Sequence, residues 1–180
     1  MKYYCHIDSA YAIENTNLQL YSLKKAAEEW NDLVYIANKS GVGSIDFFTE
    51  RLTFITNCLG LSIYQLIGQN YSSSNMDRIE SPSKLFPMLL KDSGLEVPEQ
   101  QKLNQLFLDF INYYDAIRHF GKVKYKAIDD LTLSKLDSFR NMTIDIWDIV
   151  ISKYRQNRDN DIGEFSSICE IINFEKLDVN

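Results

Sequence analysis

Apolar side chains recur at every third or fourth position through most of this chain, which is the period of a buried helix face. From about Thr16 to Asn38 the stripe is Leu20, Leu23, Ala27, Trp30, Val34 and Ala37, with Lys24, Glu28 and Asp32 on the other side. Ser40-Gly41-Val42-Gly43-Ser44 stops that helix and makes a turn. A second helix is expected from about Ile45 to Gln69, with Phe48, Leu52, Ile55, Leu59, Ile63 and Leu66 inward and little charge after Arg51. A helix so apolar belongs deep in the molecule. The short connection makes the first two helices antiparallel neighbours.

Asn70 to Ser81 is polar and reads as a loop, followed by a short helix from about Pro82 to Lys91 that ends at Asp92-Ser93-Gly94. Pro98 suits the opening of a third long helix that continues to about Phe120, carried by Leu103, Leu106, Phe107, Phe110, Tyr114 and Ile117. A fourth runs from about Thr132, a suitable N-cap, to Gln156, with Leu133, Leu136, Phe139, Thr143, Ile146, Trp147, Val150 and Tyr154. Residues 1–15 read as an extended lead-in, and the tail from Asp161 holds one further short helix around Phe165 to Ile172. The expected fold is all-α: an antiparallel helical bundle of four long helices plus short helices, forming one domain over residues 1–180.

Composition changes this picture little. The 180 residues include only 7 Gly and 3 Pro, which fits long helices better than a sheet with many tight turns. A net charge of −6 argues against a surface broadly coated for nucleic acid, although a local basic patch is compatible with it. Cys5, Cys58 and Cys169 are odd in number and widely spaced, which is no disulfide framework, and the N-terminus lacks the apolar run of a signal peptide. No stretch approaches the roughly 20 apolar residues of a membrane span. These features point to a cytoplasmic protein with no membrane contact.

Most candidate chemistry can be set aside. The two histidines, His6 and His119, are far apart, so neither a zinc site nor the paired Glu-x-x-His motifs of a di-iron bundle is present, and no cofactor is implied. Lys39 to Ser44 lacks the order of a phosphate-binding loop. Glu28, Glu29 and Asp32, and likewise Asp145 and Asp148, read as solvated faces. Cys5-His6 lacks the geometry of a nucleophile beside its base.

One segment stands apart, Asn112 to Lys126. Asp115 and His119 are four residues apart and share a helix face, and a carboxylate beside an imidazole favours the charged imidazolium. Arg118, Lys122, Lys124 and Lys126 follow with no acid until Asp129, and Phe120 and Tyr125 offer stacking faces to unpaired bases. The alternative is structural: cations in a last helical turn favour the helix dipole by about 0.3–1 kcal/mol each, and Asp115 pairs with Arg118 or His119.

Two helices joined at Asp115-Ala116-Ile117-Arg118-His119-Phe120-Gly121 resemble HEPN-type proteins over about residues 98–156. The resemblance implies a small helical bundle, usually dimeric, of the kind found in bacterial toxin–antitoxin and phage-defence systems. Active members are metal-independent ribonucleases, and inactive ones bind RNA or protein partners. The family pattern places a His about four to six residues after an Arg. Here Arg118 and His119 are adjacent, and Arg140-Asn141, which resembles the start of the motif, has no His after it. Two readings follow. In the first the protein is a non-catalytic bundle that binds a protein partner or itself as a homodimer, through an exposed apolar stripe on the second helix (Thr53 to Gln69) or through the tail. In the second it binds or cleaves RNA, with Arg118, His119 and Asp115 at the reacting phosphate and Lys122, Lys124, Lys126 and Tyr125 holding the strand.

Overall fold

The computed structural model describes residues 9–40, 45–71, 82–118, 130–156 and 165–178. Among them the chain is all-helical, with five α-helices and no strand. They are α1 (Ser9–Ser40), α2 (Ile45–Tyr71), α3 (Pro82–Lys91), α4 (Val97–Arg118) and α5 (Leu133–Gln156), and a 3-10 turn covers Ile168–Glu170. None of these helices is long and apolar enough to cross a membrane.

The helix ends follow local chemistry. Thr132 caps α5: its Oγ1 accepts the Lys135 N–H at 3.2 Å, and its carbonyl accepts the Leu136 N–H at 2.9 Å. Glu99 folds back to accept the Glu96 N–H at 3.2 Å, so an acid in the first turn of α4 satisfies a donor that the helix leaves open. α3 stops at Asp92-Ser93-Gly94, where Gly94 adopts φ +79°, a conformation that costs a residue with a Cβ. Two sequence expectations change. α1 begins at Ser9 rather than near Thr16, because Asn15, Thr16 and Asn17 interrupt the apolar stripe without breaking the backbone ladder. The tail forms only the 3-10 turn, and residues 173–178 carry no regular secondary structure.

Packing is organised around α2, which touches the four other helices and meets α1 most extensively. Leu52, Ile55, Leu59, Ile63, Leu66 and Ile67 of α2 join one core with Leu23, Trp30 and Leu33 of α1, Phe107, Phe110 and Tyr114 of α4, and Phe139, Ile146 and Trp147 of α5. Each large apolar side chain fully buried contributes about 1.5–3 kcal/mol. The buried hydroxyls are satisfied locally: Thr56 Oγ1 donates to the Leu52 carbonyl and Thr143 Oγ1 to the Phe139 carbonyl, each at 2.8 Å. Trp147 Nε1 donates to Ser62 Oγ at 2.8 Å, a buried bond between α5 and α2.

Gly60 lets α2 and α4 approach closely. A Cβ at that position would lie 2.2 Å from Cδ2 and 2.3 Å from Cε2 of Tyr114. The tyrosine ring covers the glycine and fixes where α4 lies at this level.

Candidate functional site

The end of α4 is the first candidate. Tyr114 is fully buried, and its ring stacks on Phe110 at 6.0 Å between centroids and tilts against Tyr64 of α2 at 5.6 Å. One turn further on, the exposed Arg118 guanidinium lies over both tyrosines, 5.3 Å from the Tyr114 centroid and 5.7 Å from that of Tyr64. Burial pushes the Tyr114 phenol above its ordinary pKa, Arg118 opposes the shift, and Tyr64 and Asp115 add to it. The phenol therefore stays neutral and serves as a stacking face rather than a base. Among the described residues Arg118 forms no ion pair and lies over tyrosine rings instead, which leaves His119, outside the described residues, as the other partner that the sequence offers Asp115. Arg118 also acts on the Tyr114 phenol as a hydrogen-bond partner, and a guanidinium carries five N–H donors, so others remain for an anion. Asp115 is half-buried beside this stack. His119, Lys122, Lys124, Tyr125 and Lys126 lie outside the described residues.

Arg140, which opens the Arg-Asn pair noted in the sequence, has a structural position. It is buried, and its Nε and Nη2 donate to Asp137 Oδ1 at 3.1 and 2.7 Å. Its guanidinium lies over the rings of both Trp30 (5.1 Å) and Phe174 (5.7 Å).

The second candidate is the outer face of the α1–α2 pair. Phe54 and Leu61 of α2 are 43% and 38% exposed, and Leu18 and Tyr21 of α1 are each 61% exposed. Cys58 stands one turn from both Phe54 and Leu61, and Lys25 and Glu29 of α1 act on it electrostatically, so the two helices meet along this edge. Arg51 and Glu29 close its far end at 3.9 Å. Lys25 and Glu28 pair at 2.5 Å, but both are well exposed, and such a pair contributes little. Burial, with help from Glu29, pushes the Cys58 thiol up to about 11, with Lys25 opposing. It is fully protonated at neutral pH and is no nucleophile.

A groove of about 650 Å³ between α4 and α5 is floored by Leu103, Leu106, Met142 and Ile149, with Lys102 and Asp145 at its edge. Partial desolvation and the neighbouring Asp148 raise the pKa of the Asp145 carboxyl, and Lys102 opposes them. The reading of Asp145 and Asp148 as a solvated pair is corrected for Asp148. Its Oδ1 accepts the Ile168 N–H at 2.6 Å and its Oδ2 accepts the Ser167 hydroxyl at 3.0 Å, which ties the 3-10 turn to α5. Among the described residues no group of three His, Cys, Asp or Glu gathers to hold a metal ion.

The sequence offers an exposed apolar stripe somewhere on Thr53 to Gln69, and Phe54 and Leu61 are exposed within that span, although helical spacing does not single them out. Gly60 carried a usable signal: an isolated glycine inside a strongly helical, apolar run marks a close approach. In comparisons with known proteins, no protein-family model, no curated protein and no solved structure matches this chain.

Proposed function

We propose that this is a non-catalytic helical protein of the cytoplasm that acts by self-association or by binding a protein partner through the exposed α1–α2 face. The long helices form two antiparallel pairs in this reading, and the chain is comparable to an inactive HEPN-like component of a toxin–antitoxin or defence system. The observation that carries the proposal is that Leu18 and Tyr21 of α1 and Phe54 and Leu61 of α2, large apolar side chains, are left exposed on two adjacent helices. Single exposed apolar residues are ordinary, but several on neighbouring helices, with Lys25 over the Tyr21 ring and Arg51 beside Glu29, have the composition of an interface of apolar and charged groups. Sedimentation equilibrium over a range of concentrations tests it. Phe54→Ser/Leu61→Ser should weaken dimerisation by about 100-fold, the loss expected from two partly desolvated apolar anchors. A wild type that stays monomeric throughout, or a double variant that associates equally well, would remove the self-association reading.

The Arg118 stack favours a second reading, an RNA-binding or ribonuclease role for the α4 end with His119, Asp115, Lys122, Lys124, Tyr125 and Lys126. A guanidinium held on two tyrosines, with no carboxylate partner among the described residues, suits a phosphate. RNA binding and cleavage across a salt series, wild type beside Arg118→Ala/His119→Ala, separates the two readings. Salt-sensitive binding lost in the variant supports the RNA role. Binding that the variant retains excludes it.

A further inference from the structure

Residues 173–178 lie along α1 and are held by its side-chain amides. Asn31 Nδ2 donates to the Asn173 carbonyl at 3.0 Å, and its Oδ1 accepts the Glu175 N–H at 2.7 Å. Asn38 repeats the arrangement three residues later: Nδ2 donates to the Lys176 carbonyl at 3.4 Å, and Oδ1 accepts the Asp178 N–H at 3.2 Å. Each carboxamide thus takes the C=O of one residue and the N–H of the residue two further on, the pair of groups that a neighbouring parallel strand would take. Asn31 and Asn38 are seven residues apart, about 10.5 Å along a helix. Three residues of extended chain span about 10 Å. The two repeats coincide, so one face of a helix serves as the partner strand of an extended peptide. Trp30 Nε1 adds a bond to the Glu175 carbonyl at 2.8 Å.

All five bonds go to main-chain groups of the segment. Selectivity for sequence rests on Phe174, which lies over Arg140, and on Leu177, both half-buried against the core. We propose that this face of α1 is a peptide-binding groove with an exchangeable occupant: residues 173–178 fill it in cis, and the same residues of a second copy fill it in trans. A second copy brings identical groups, so every bond made within one chain can form between two. What favours the cis form is the high effective concentration of a tethered segment. The groove lies on the flank of α1 away from α2, since Asn31 is roughly 160° around the helix from Glu29, which pairs with Arg51. It therefore does not depend on the Phe54 face.

Two full-length variants test this. Asn31→Ala/Asn38→Ala disables the clamps and keeps the segment, and Phe174→Ala/Leu177→Ala weakens the segment and keeps the clamps. Sedimentation velocity should show a dimer in an equal mixture that exceeds what either variant forms alone, because only the mixture pairs an intact groove with an intact segment. Association through Phe54 and Leu61 would raise all three samples alike. Should Phe174→Ala/Leu177→Ala fail to fold, Leu177→Ser replaces it. A labelled peptide of residues 172–180 should then bind full-length Leu177→Ser about tenfold more tightly than wild type, because a weaker cis occupant leaves more groove open. The same peptide should not bind Asn31→Ala/Asn38→Ala. No excess dimer in a mixture of folded variants, or peptide binding indifferent to Asn31 and Asn38, overturns the proposal.

Discussion

Gly60→Ala should destabilise the fold by about 2 kcal/mol, although alanine is the better helix former. In an exposed helix the change would gain about 0.8–1 kcal/mol. Here the new methyl would meet ring carbons of Tyr114 at 2.2–2.3 Å. The ring has little room to retreat, because it packs against Tyr64 and Phe110 and is fully buried. Overpacking of a closed core costs about 1–3 kcal/mol and more when the neighbour is rigid, so strain outweighs propensity. The clash involves ring carbons and not the hydroxyl, so Tyr114→Phe should not rescue the variant, whereas Tyr114→Leu should recover part of the loss. Urea unfolding of the single and double variants checks this. A Gly60→Ala protein as stable as wild type would show that α2 and α4 are not locked at this level.

Arg140→Ala should cost about 3 kcal/mol and loosen residues 173–178. The substitution removes two bonds to Asp137 and a cation that lies over both Trp30 and Phe174. A desolvated cation–π contact contributes about 2 kcal/mol, and the arginine stem adds packing. Removing one partner of a buried pair costs about 3–5 kcal/mol, reduced here because the Asp137 side chain is 28% exposed. Lysine should not substitute, since it offers neither the planar face nor the fork. Hydrogen exchange provides the specific readout: the Glu175 and Asp178 amides should lose protection in Arg140→Ala while those of central α2 keep theirs. If stability and segment protection were unchanged and only RNA binding were lost, Arg140 would belong to a functional site instead.

Periodicity made the core of α2 legible, because Leu52, Ile55, Leu59, Ile63 and Leu66 recur at helical spacing and all are buried. The Thr132 cap was legible for a local reason, a hydroxyl placed three residues before the N–H it accepts. The segment after α5 was not. Ile168, Ile171 and Ile172 have helical spacing, but Asp148, and Asn31 and Asn38 of α1, offer its backbone other partners, and those bonds span up to 144 residues. No local pattern carries such information. The basic run 122–126 and His119 were conspicuous in the sequence and lie outside the described residues. Of that candidate site the structure places Arg118 and Asp115, and one of the two tyrosines beneath Arg118, Tyr64, comes from α2, a neighbour that only packing could supply.

The chain has two tryptophans, and both are fully buried, yet they report on different events. The Trp30 indole donates to the Glu175 carbonyl, and the Trp147 indole donates to Ser62. Departure of the segment exposes the first to water and leaves the second in place, while melting of the α2–α5 contact exposes the second. The molecule thus contains two intrinsic optical probes. In a Trp147→Phe background the emission of Trp30 alone follows the docking of residues 173–178, separately from the ellipticity that follows the helices.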